Sequence, residues 1–363
     1  MQIILRWQVK SLEFGSFTER SIKLSNNEER LLVERFLAKY SLRLERDVEF
    51  TIAIFDGDRI AATGSFSGSV LKCIAVDSRY EGMGLAGMVV SRLVTEEYNR
   101  GRLHLFIYTK PENIKKFHEL GFHRIAEVPS KVALLENRPD GITGYVEKLK
   151  SYKVLGDSVG SIVVNCNPFT KGHKYLIEKA ASECDWLHVF VVWEDRSVFP
   201  SEIRYRLVKE GTKHINNVKV HKGKDYIISN ATFPTYFLKQ PDEAVDIQCM
   251  LDLKIFAEQI APALEIKKRY VGKEPYCPVT GVYNRIMKEI LPGYEIEVIE
   301  VPRISLNGIV ISASEVRKNL KAGNMEVVKE MVPSTTYDFL VSKEAVPILQ
   351  NIGYNFGGVG SGS

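Results

Sequence analysis

No stretch of this 363-residue chain approaches the ~20 consecutive apolar residues that a membrane span requires. A protein that works away from the bilayer is therefore expected. The opening residues, Met1-Gln-Ile-Ile-Leu-Arg-Trp7, meet a charge too soon for the apolar core of a secretory leader, and the expectation is a cytoplasmic protein. Cysteine is scarce: Cys73, Cys166, Cys184, Cys249 and Cys277 are an odd number, widely scattered, with no Cys-x-x-Cys. That excludes a disulfide framework and gives no zinc site, so the reading is five reduced thiols and no assigned metal ligand. An excess of one charge is also lacking, because 49 Lys and Arg against 45 Asp and Glu leave +4. So mild a balance argues against a nucleic-acid coat but suits an acidic partner or a polyphosphate. Two catalytic signatures are missing as well: no Gly-x-x-x-x-Gly-Lys-Ser/Thr loop and no Gly-x-Ser-x-Gly elbow occur, which removes P-loop chemistry and the usual serine nucleophile.

What remains is an ordinary globular composition, 45% hydrophobic and 26% charged, long enough for two domains with separate cores. In the first, Glu49–Phe55, the turn Asp56-Gly57-Asp58 and Arg59–Phe66 read as a β-hairpin, followed by a strand over Val70–Val76. Helical spacing precedes them, with apolar Leu31, Leu32, Phe36 and Leu37 between Asn27 and Lys39. Helices are expected over about 84–98 and 112–120, with strands at Leu103–Tyr108 and near 123–136. This is an α+β domain, predicted over residues 1–148, its end marked by Arg138-Pro-Asp-Gly141 and a polar stretch over 148–157. From Ser161 the rhythm becomes strand, helix, strand, helix. Strands are predicted at 162–165, 186–192, 218–221, 268–271 and 295–301, and helices at about 173–183, 201–214, 280–290, 312–321 and 325–331. Such alternation predicts an α/β Rossmann-like domain with a parallel sheet, over 149–345. Residues 233–261 read as an insertion, helical in the second half, and 346–363 as a flexible tail ending in a Gly/Ser-rich linker.

Chemistry concentrates at Asn167-Pro-Phe-Thr-Lys-Gly-His173, between an apolar strand and a helix. Helix N-termini carry unpaired N–H groups and partial positive charge that favour anions. Gly172 leaves the backbone accessible to a ligand's phosphates. His173 puts an imidazole N–H where charge would build on a phosphate oxygen. The bland alternative is that Thr170 is only an N-cap. A second site of the same kind is Ile311-Ser-Ala-Ser-Glu-Val-Arg317, where Ser312 and Glu315 also fit a simple capping box. Together the two offer hydroxyls (Thr170, Ser312, Ser314), N–H groups and cations (Lys171, Arg317) at the carboxyl ends of strands, where open α/β sheets bind ligands. That is the equipment of phosphoryl or nucleotidyl transfer, which needs positioning and charge stabilisation more than a nucleophile. Arg204, Arg206, Lys219, Lys222 and Lys224 offer possible extra triphosphate contacts, though a solvated basic face is the simpler reading.

The paired motifs resemble the double signature of the HxGH nucleotidyltransferases. The resemblance implies binding of ATP or CTP with magnesium, attack on the α-phosphate and release of pyrophosphate. It implies catalytic roles for His173, Lys171 and Arg317, and nucleotide contacts from Asn167, Thr170, Gly172, His173, Ser312, Ser314 and Arg317. Thr170 stands where many members have a first histidine. In the first domain, Arg79-Tyr-Glu-Gly82-Met-Gly84 resembles the pyrophosphate turn of GCN5-related acetyltransferases, which implies that Arg79, Gly82 and Gly84 hold a CoA-like group. Phe117 stands where catalytic members usually carry a tyrosine, so that fold's general acid is missing here. The fusion order, with Val192–Pro200 and Tyr270–Tyr276, resembles the citrate lyase ligases. That resemblance implies an AMP-forming ligase using ATP and acetate to acetylate the thiol of a CoA-like group on the citrate lyase acyl carrier protein. No tightly bound cofactor is expected, and Mg²⁺ is expected only with ATP, its ligands unassigned. Three other readings stand beside it: an adenylyltransferase with a phosphate acceptor such as phosphopantetheine, an N-acetyltransferase with a nucleotide-sensing domain, and a non-catalytic chaperone of the lyase complex.

Overall fold

The computed structural model describes residues 17–194, 197–233, 245–274, 277–306 and 308–354. The N-terminal sheet starts with β1 (Phe17–Ser21), β2 (Phe50–Asp56), β3 (Arg59–Ser67) and β4 (Val70–Val76), and continues with β5 (Phe106–Thr109), β6 (His123–Val128) and β7 (Val132–Glu136). Its order is β1-β2-β3-β4-β5-β7-β6. The first four strands pair antiparallel. β4 and β5 run parallel and pair over Val70–Leu71 with Phe106–Ile107. Helix α1 (Asn27–Ala38) starts where the Asn26 side chain accepts from the N–H groups of Glu28 and Glu29, and it buries Val33, Phe36 and Leu37. That is the i, i+3, i+4 face expected of an amphipathic helix. α2 (Leu85–Asn99) packs against β3 at Gly64, where a Cβ would sit 2.4 Å from the Val89 side chain. α3 (Ile114–Glu119) buries Phe117. This is the α+β arrangement expected from the sequence, with β1 the strand the pattern did not reveal.

The second sheet consists of β8 (Val159–Val164), β9 (Trp186–Val191), β10 (Val218–Lys222), β11 (Lys268–Gly272) and β12 (Glu297–Val301), ordered β10-β9-β8-β11-β12. All its pairings are parallel. β8 lies at the centre, with the next strand in sequence on one side and a later one on the other. This is the doubly wound switch point beside which open α/β sheets bind ligands. The helices here are α4 (Gly141–Lys150), α5 (Lys171–Ala181), α6 (Ser201–Gly211), α7 (Val245–Ile255), α8 (Pro278–Ile290), α9 (Ala313–Lys321), α10 (Met325–Met331), α11 (Ser334–Leu340) and α12 (Val346–Ile352). A π-helical turn at Phe256–Ile260 follows α7. One apolar core joins Ile162 and Val164 of β8, Ile177 of α5, Leu207 of α6 and Val316 and Leu320 of α9. The two motif-bearing helices, α5 and α9, are thus anchored in the same packing.

The chain forms two compact units: Met1–His123 with Leu135–Pro139, and Arg124–Leu134 with Asp140–Ser363. Helix α4, assigned from sequence to the first domain up to residue 148, is counted with the second unit. There the Tyr145 hydroxyl donates to the Lys222 carbonyl at 3.1 Å, and its ring meets Tyr226. Residues from 346, expected as flexible tail, instead begin with α12, which buries Ile348 and Leu349 in the core. The apolar Val346-Pro-Ile-Leu349 run explains the difference, because it supplies a face the core can cover. Of the expected insertion, 234–244 lie outside the described residues, and its second half is helical as read.

Candidate active site

An open cleft with ≈ 860 Å³ of empty volume lies at the carboxyl ends of β8, β11 and β12, lined there by Val163, Val164, Val271, Gly272 and Val301. The first helix motif supplies Thr170, Gly172 and His173 to its wall, and the second supplies Ser312 and Ala313. Gly172 brings the two together. A Cβ on it would lie 2.8 Å from the Ile311 carbonyl oxygen, closer than real side-chain carbons come. The glycine therefore admits the backbone of the other motif, a tertiary role beyond the ligand access read from sequence.

Thr170 does cap α5: its Oγ1 accepts from the His173 N–H at 3.3 Å. In return His173 Nδ1 accepts from the Thr170 backbone N–H at 3.1 Å, with the Thr170 hydroxyl 2.9 Å away. A backbone N–H can only donate, so Nδ1 is unprotonated and the neutral ring carries its proton on Nε2. Burial, with the Arg303 charge adding to it, pushes the His173 pKa down to about 4 from 6.5. Near neutral pH, His173 is thus an uncharged hydrogen-bond donor on the cleft wall. The capping reading and the chemical reading of this turn are the same structure: the cap fixes the donor.

Ser312 caps α9, accepting from the Glu315 N–H at 3.2 Å. Arg317 Nη1 donates to the Asn167 carbonyl, and its Nη2 to Ser314 Oγ at 3.2 Å. Arg317 thereby straps α9 to the loop leading into α5, and desolvation lowers its pKa. Asn167 accepts from the Phe199 N–H at 2.9 Å, which ties the same loop to the start of α6. Lys171 opens α5, half-exposed. Asn167, Lys171, Ser314 and Arg317 flank the cleft, whereas Thr170, Gly172, His173 and Ser312 line it.

The basic residues beyond the motifs are used elsewhere. Arg204 is fully buried and donates to the carbonyls of Phe199, Asn165, Val192 and Glu194 and to Asn165 Oδ1. It is a brace for the loops after β8 and β9, not a triphosphate contact. Arg206 pairs with Glu344 at 2.7 Å, Lys222 pairs with Glu202 at 2.6 Å, and Lys219 and Lys224 lie over Trp186 and Trp193. Sequence reading missed Arg303 and Glu274, which also line the cleft. The available signal was a cation two residues beyond the end of β12, at the ligand end of the sheet. Among the described residues no group of three or more His, Cys, Asp or Glu is arranged to hold a metal ion, and no helix is long and apolar enough to cross a membrane.

In the first unit, Gly82 and Gly84 adopt φ of +79° and +78°, a region that glycine enters without strain. Gly84 precedes α2 with no side-chain cap, so the first N–H groups of that helix remain available to an anion. Arg79 is held by Asp77 through Nε at 2.9 Å and Nη2 at 2.8 Å. Phe117 is buried, a core residue with no hydroxyl to give.

A doubly wound sheet whose central strand feeds a Thr-x-Gly-His helix, met by an Ile-Ser-x-Ser-x-x-Arg helix, has the α/β fold and the paired helix N-termini expected of a nucleotide-binding protein. Residues 159–340 match the family model described as the citrate lyase ligase C-terminal domain. The chain is 43% identical over 322 residues to a [citrate [pro-3S]-lyase] ligase of Klebsiella pneumoniae, covering 88% of this chain and 94% of the relative. It is 39% identical over 332 residues to the corresponding ligase of Escherichia coli K12, covering 90% and 94%. A phosphopantetheine adenylyltransferase of Streptococcus gordonii is 28% identical over 116 residues, 31% of this chain and 71% of that one. The chain belongs to the citrate lyase ligase family and is an enzyme of the ligase class.

Proposed function

We propose that this chain is an ATP-dependent, AMP-forming ligase that acetylates the citrate lyase acyl carrier protein. In the first step a carboxylate oxygen of acetate attacks the α-phosphorus of ATP. The bond to the β-phosphate oxygen breaks, giving acetyl-adenylate and pyrophosphate. In the second, the thiolate of the CoA-like group attacks the acetyl carbonyl and AMP leaves with the electron pair of the acyl–oxygen bond. The observation that carries the reading is the meeting of two helix N-termini around a neutral His173 donor at the switch point of the sheet. Charge that develops on the α-phosphate oxygens would be met by His173 Nε2–H, an arrangement worth ~10²–10³ in rate at comparable sites. Ser312, the α9 N–H groups and the flanking Lys171, Ser314 and Arg317 would receive the leaving pyrophosphate. Thr170 would act through the ring it orients, and Asn167 through the loop it fastens.

Magnesium would enter on the triphosphate. It is bound in such sites largely by phosphate oxygens and water with one or two carboxylates, and the described lining carries one carboxylate, Glu274. It would neutralise phosphate charge, while the chain's own groups orient and donate. In the first unit, Arg79, Gly82 and Gly84 would hold the CoA-like arm. The N–H groups opening α2 support this, as does the parting of β4 from β5 beyond Leu71 and Ile107, which leaves strand edge groups for an extended arm. The five cysteines are free, as a cytoplasmic setting requires.

The test is pyrophosphate release from ATP with acetate, other carboxylates or phosphopantetheine supplied in turn, followed by acetyl transfer to the thiol-form carrier protein. Acetate-dependent release and carrier acetylation are expected. Release with phosphopantetheine but not with acetate would establish the adenylyltransferase alternative instead. Bulky residues at Gly82 and Gly84 should raise the KM for the carrier protein and spare acetate-dependent pyrophosphate release.

A further inference from the structure

Arg303 is the only Lys or Arg that lines the cleft among the described residues. It follows β12, and Lys273 and Glu274 follow β11, so the two neighbouring strand ends meet here. Arg303 Nε donates to the Lys273 carbonyl at 2.6 Å and Nη2 to Glu274 Oε2, while Nη1 makes no hydrogen bond among the described residues. Glu274 is itself fixed, its Oε1 accepting from the Cys277 N–H at 3.1 Å, next to the start of α8. The guanidinium is therefore oriented from behind and keeps donors to offer. Its side chain is 27% exposed.

A nucleotide polyphosphate brings several negative charges into a wall that, apart from the paired Arg303 and Glu274, presents a neutral imidazole, hydroxyls and the partial charges of helix ends. We propose that Arg303 is a further phosphate-binding residue of this cleft, contacting the polyphosphate of the bound nucleotide, and that Glu274 is its positioning residue. Planar guanidinium donors match phosphate oxygens better than an ammonium does. Arg303 also acts on the His173 ring, lowering its proton affinity, so the cation and the donor belong to one electrostatic site. The inference rests on the reading that this cleft takes ATP.

The experiment measures equilibrium binding of ATP and of adenosine to the full chain, wild type and Arg303→Gln, Arg303→Lys and Glu274→Gln, without acetate. Loss of one charge-assisted contact predicts ~10- to 100-fold weaker ATP binding for Arg303→Gln, with adenosine affinity unchanged. Arg303→Lys should recover part of the loss. Glu274→Gln should raise the KM for ATP with little change in kcat. An NMR titration of the His173 ring should show its pKa rising in Arg303→Gln, which also reports that the variant is folded. ATP binding equal to wild type in Arg303→Gln, or an effect confined to the KM for acetate, would overturn the assignment. A wild-type chain that binds no ATP would instead sink the reading of the cleft, and this inference with it.

Discussion

At His173 the sequence offers a histidine in the first turn of a helix, and the structure decides what that histidine is. The Thr170 N–H takes Nδ1, so the proton stays on Nε2, and burial keeps the ring neutral. His173→Ala should lower kcat by ~10²–10³ while the affinity for ATP changes little, checked by pyrophosphate release and binding in parallel. Because the ring's pKa lies near 4, the pH–rate profile should show no limb from this group between pH 6 and 8. A rate that collapses with a midpoint near 6.5 and loses that midpoint in the alanine variant would contradict a neutral donor. Gly172 is the second residue-scale case. Its Cβ would strike the Ile311 carbonyl, and overpacking of this kind costs ~1–3 kcal/mol. Gly172→Ala should therefore reduce both thermal stability and ATP affinity, the latter because the two N-termini are pushed apart. From sequence the glycine was legible as necessary, but its reason was not, because Ile311 lies far along the chain.

Among the elements, strand and helix types followed from local pattern wherever one face is apolar. The alternation from β8 to β12 was readable because buried parallel strands are short apolar runs and the helices between them are amphipathic. Arg204 was not readable in this way. Nothing in Ser201–Gly211 separates a solvated arginine from one that donates to four carbonyls, since those carbonyls belong to loops fixed elsewhere. Arg204→Met should destabilise the fold by ~3 kcal/mol or more, because buried acceptors are left unpaired, and a urea melt will show it. If stability held and only ATP binding fell, the triphosphate role would be restored. Helix α4 escaped the sequence reading for a similar reason: its partners, such as the Lys222 carbonyl met by Tyr145, are remote in sequence.

For the molecule as a whole, His173, His188 and His221 resist protonation in the fold. Besides His173, the buried neighbours His188 and His221, 2.8 Å apart between Nδ1 and Nε2, are depressed to about 4 and about 3. Burial is the first cause for both, and for His221 the proximity of His188 adds to it. The unfolded chain takes up these protons near pH 6.5, so the stabilisation is full above that pH and is lost as pH falls toward 4. Buried Glu97 works in the opposite sense. Its pKa is raised to about 7 by desolvation, so stability falls as pH rises from 4.5 to 7. Thermal midpoints measured from pH 4 to 8 should show a loss toward acid that His221→Phe reduces, and Glu97→Gln should raise the midpoint above pH 7. By itself the sequence determined the two fold types, the strand order in time along the chain, and which turns could hold phosphate, because periodicity, glycine and capping chemistry are local. Only the tertiary structure decided that the two turns share one cleft, which tautomer His173 holds, and which arginine braces the fold and which lines the cleft. The shared cleft depends on Gly172 meeting Ile311 and Arg317 meeting Asn167 from far along the chain, the arginine roles on loops brought together by the sheet, and the tautomer on the geometry of one capped turn.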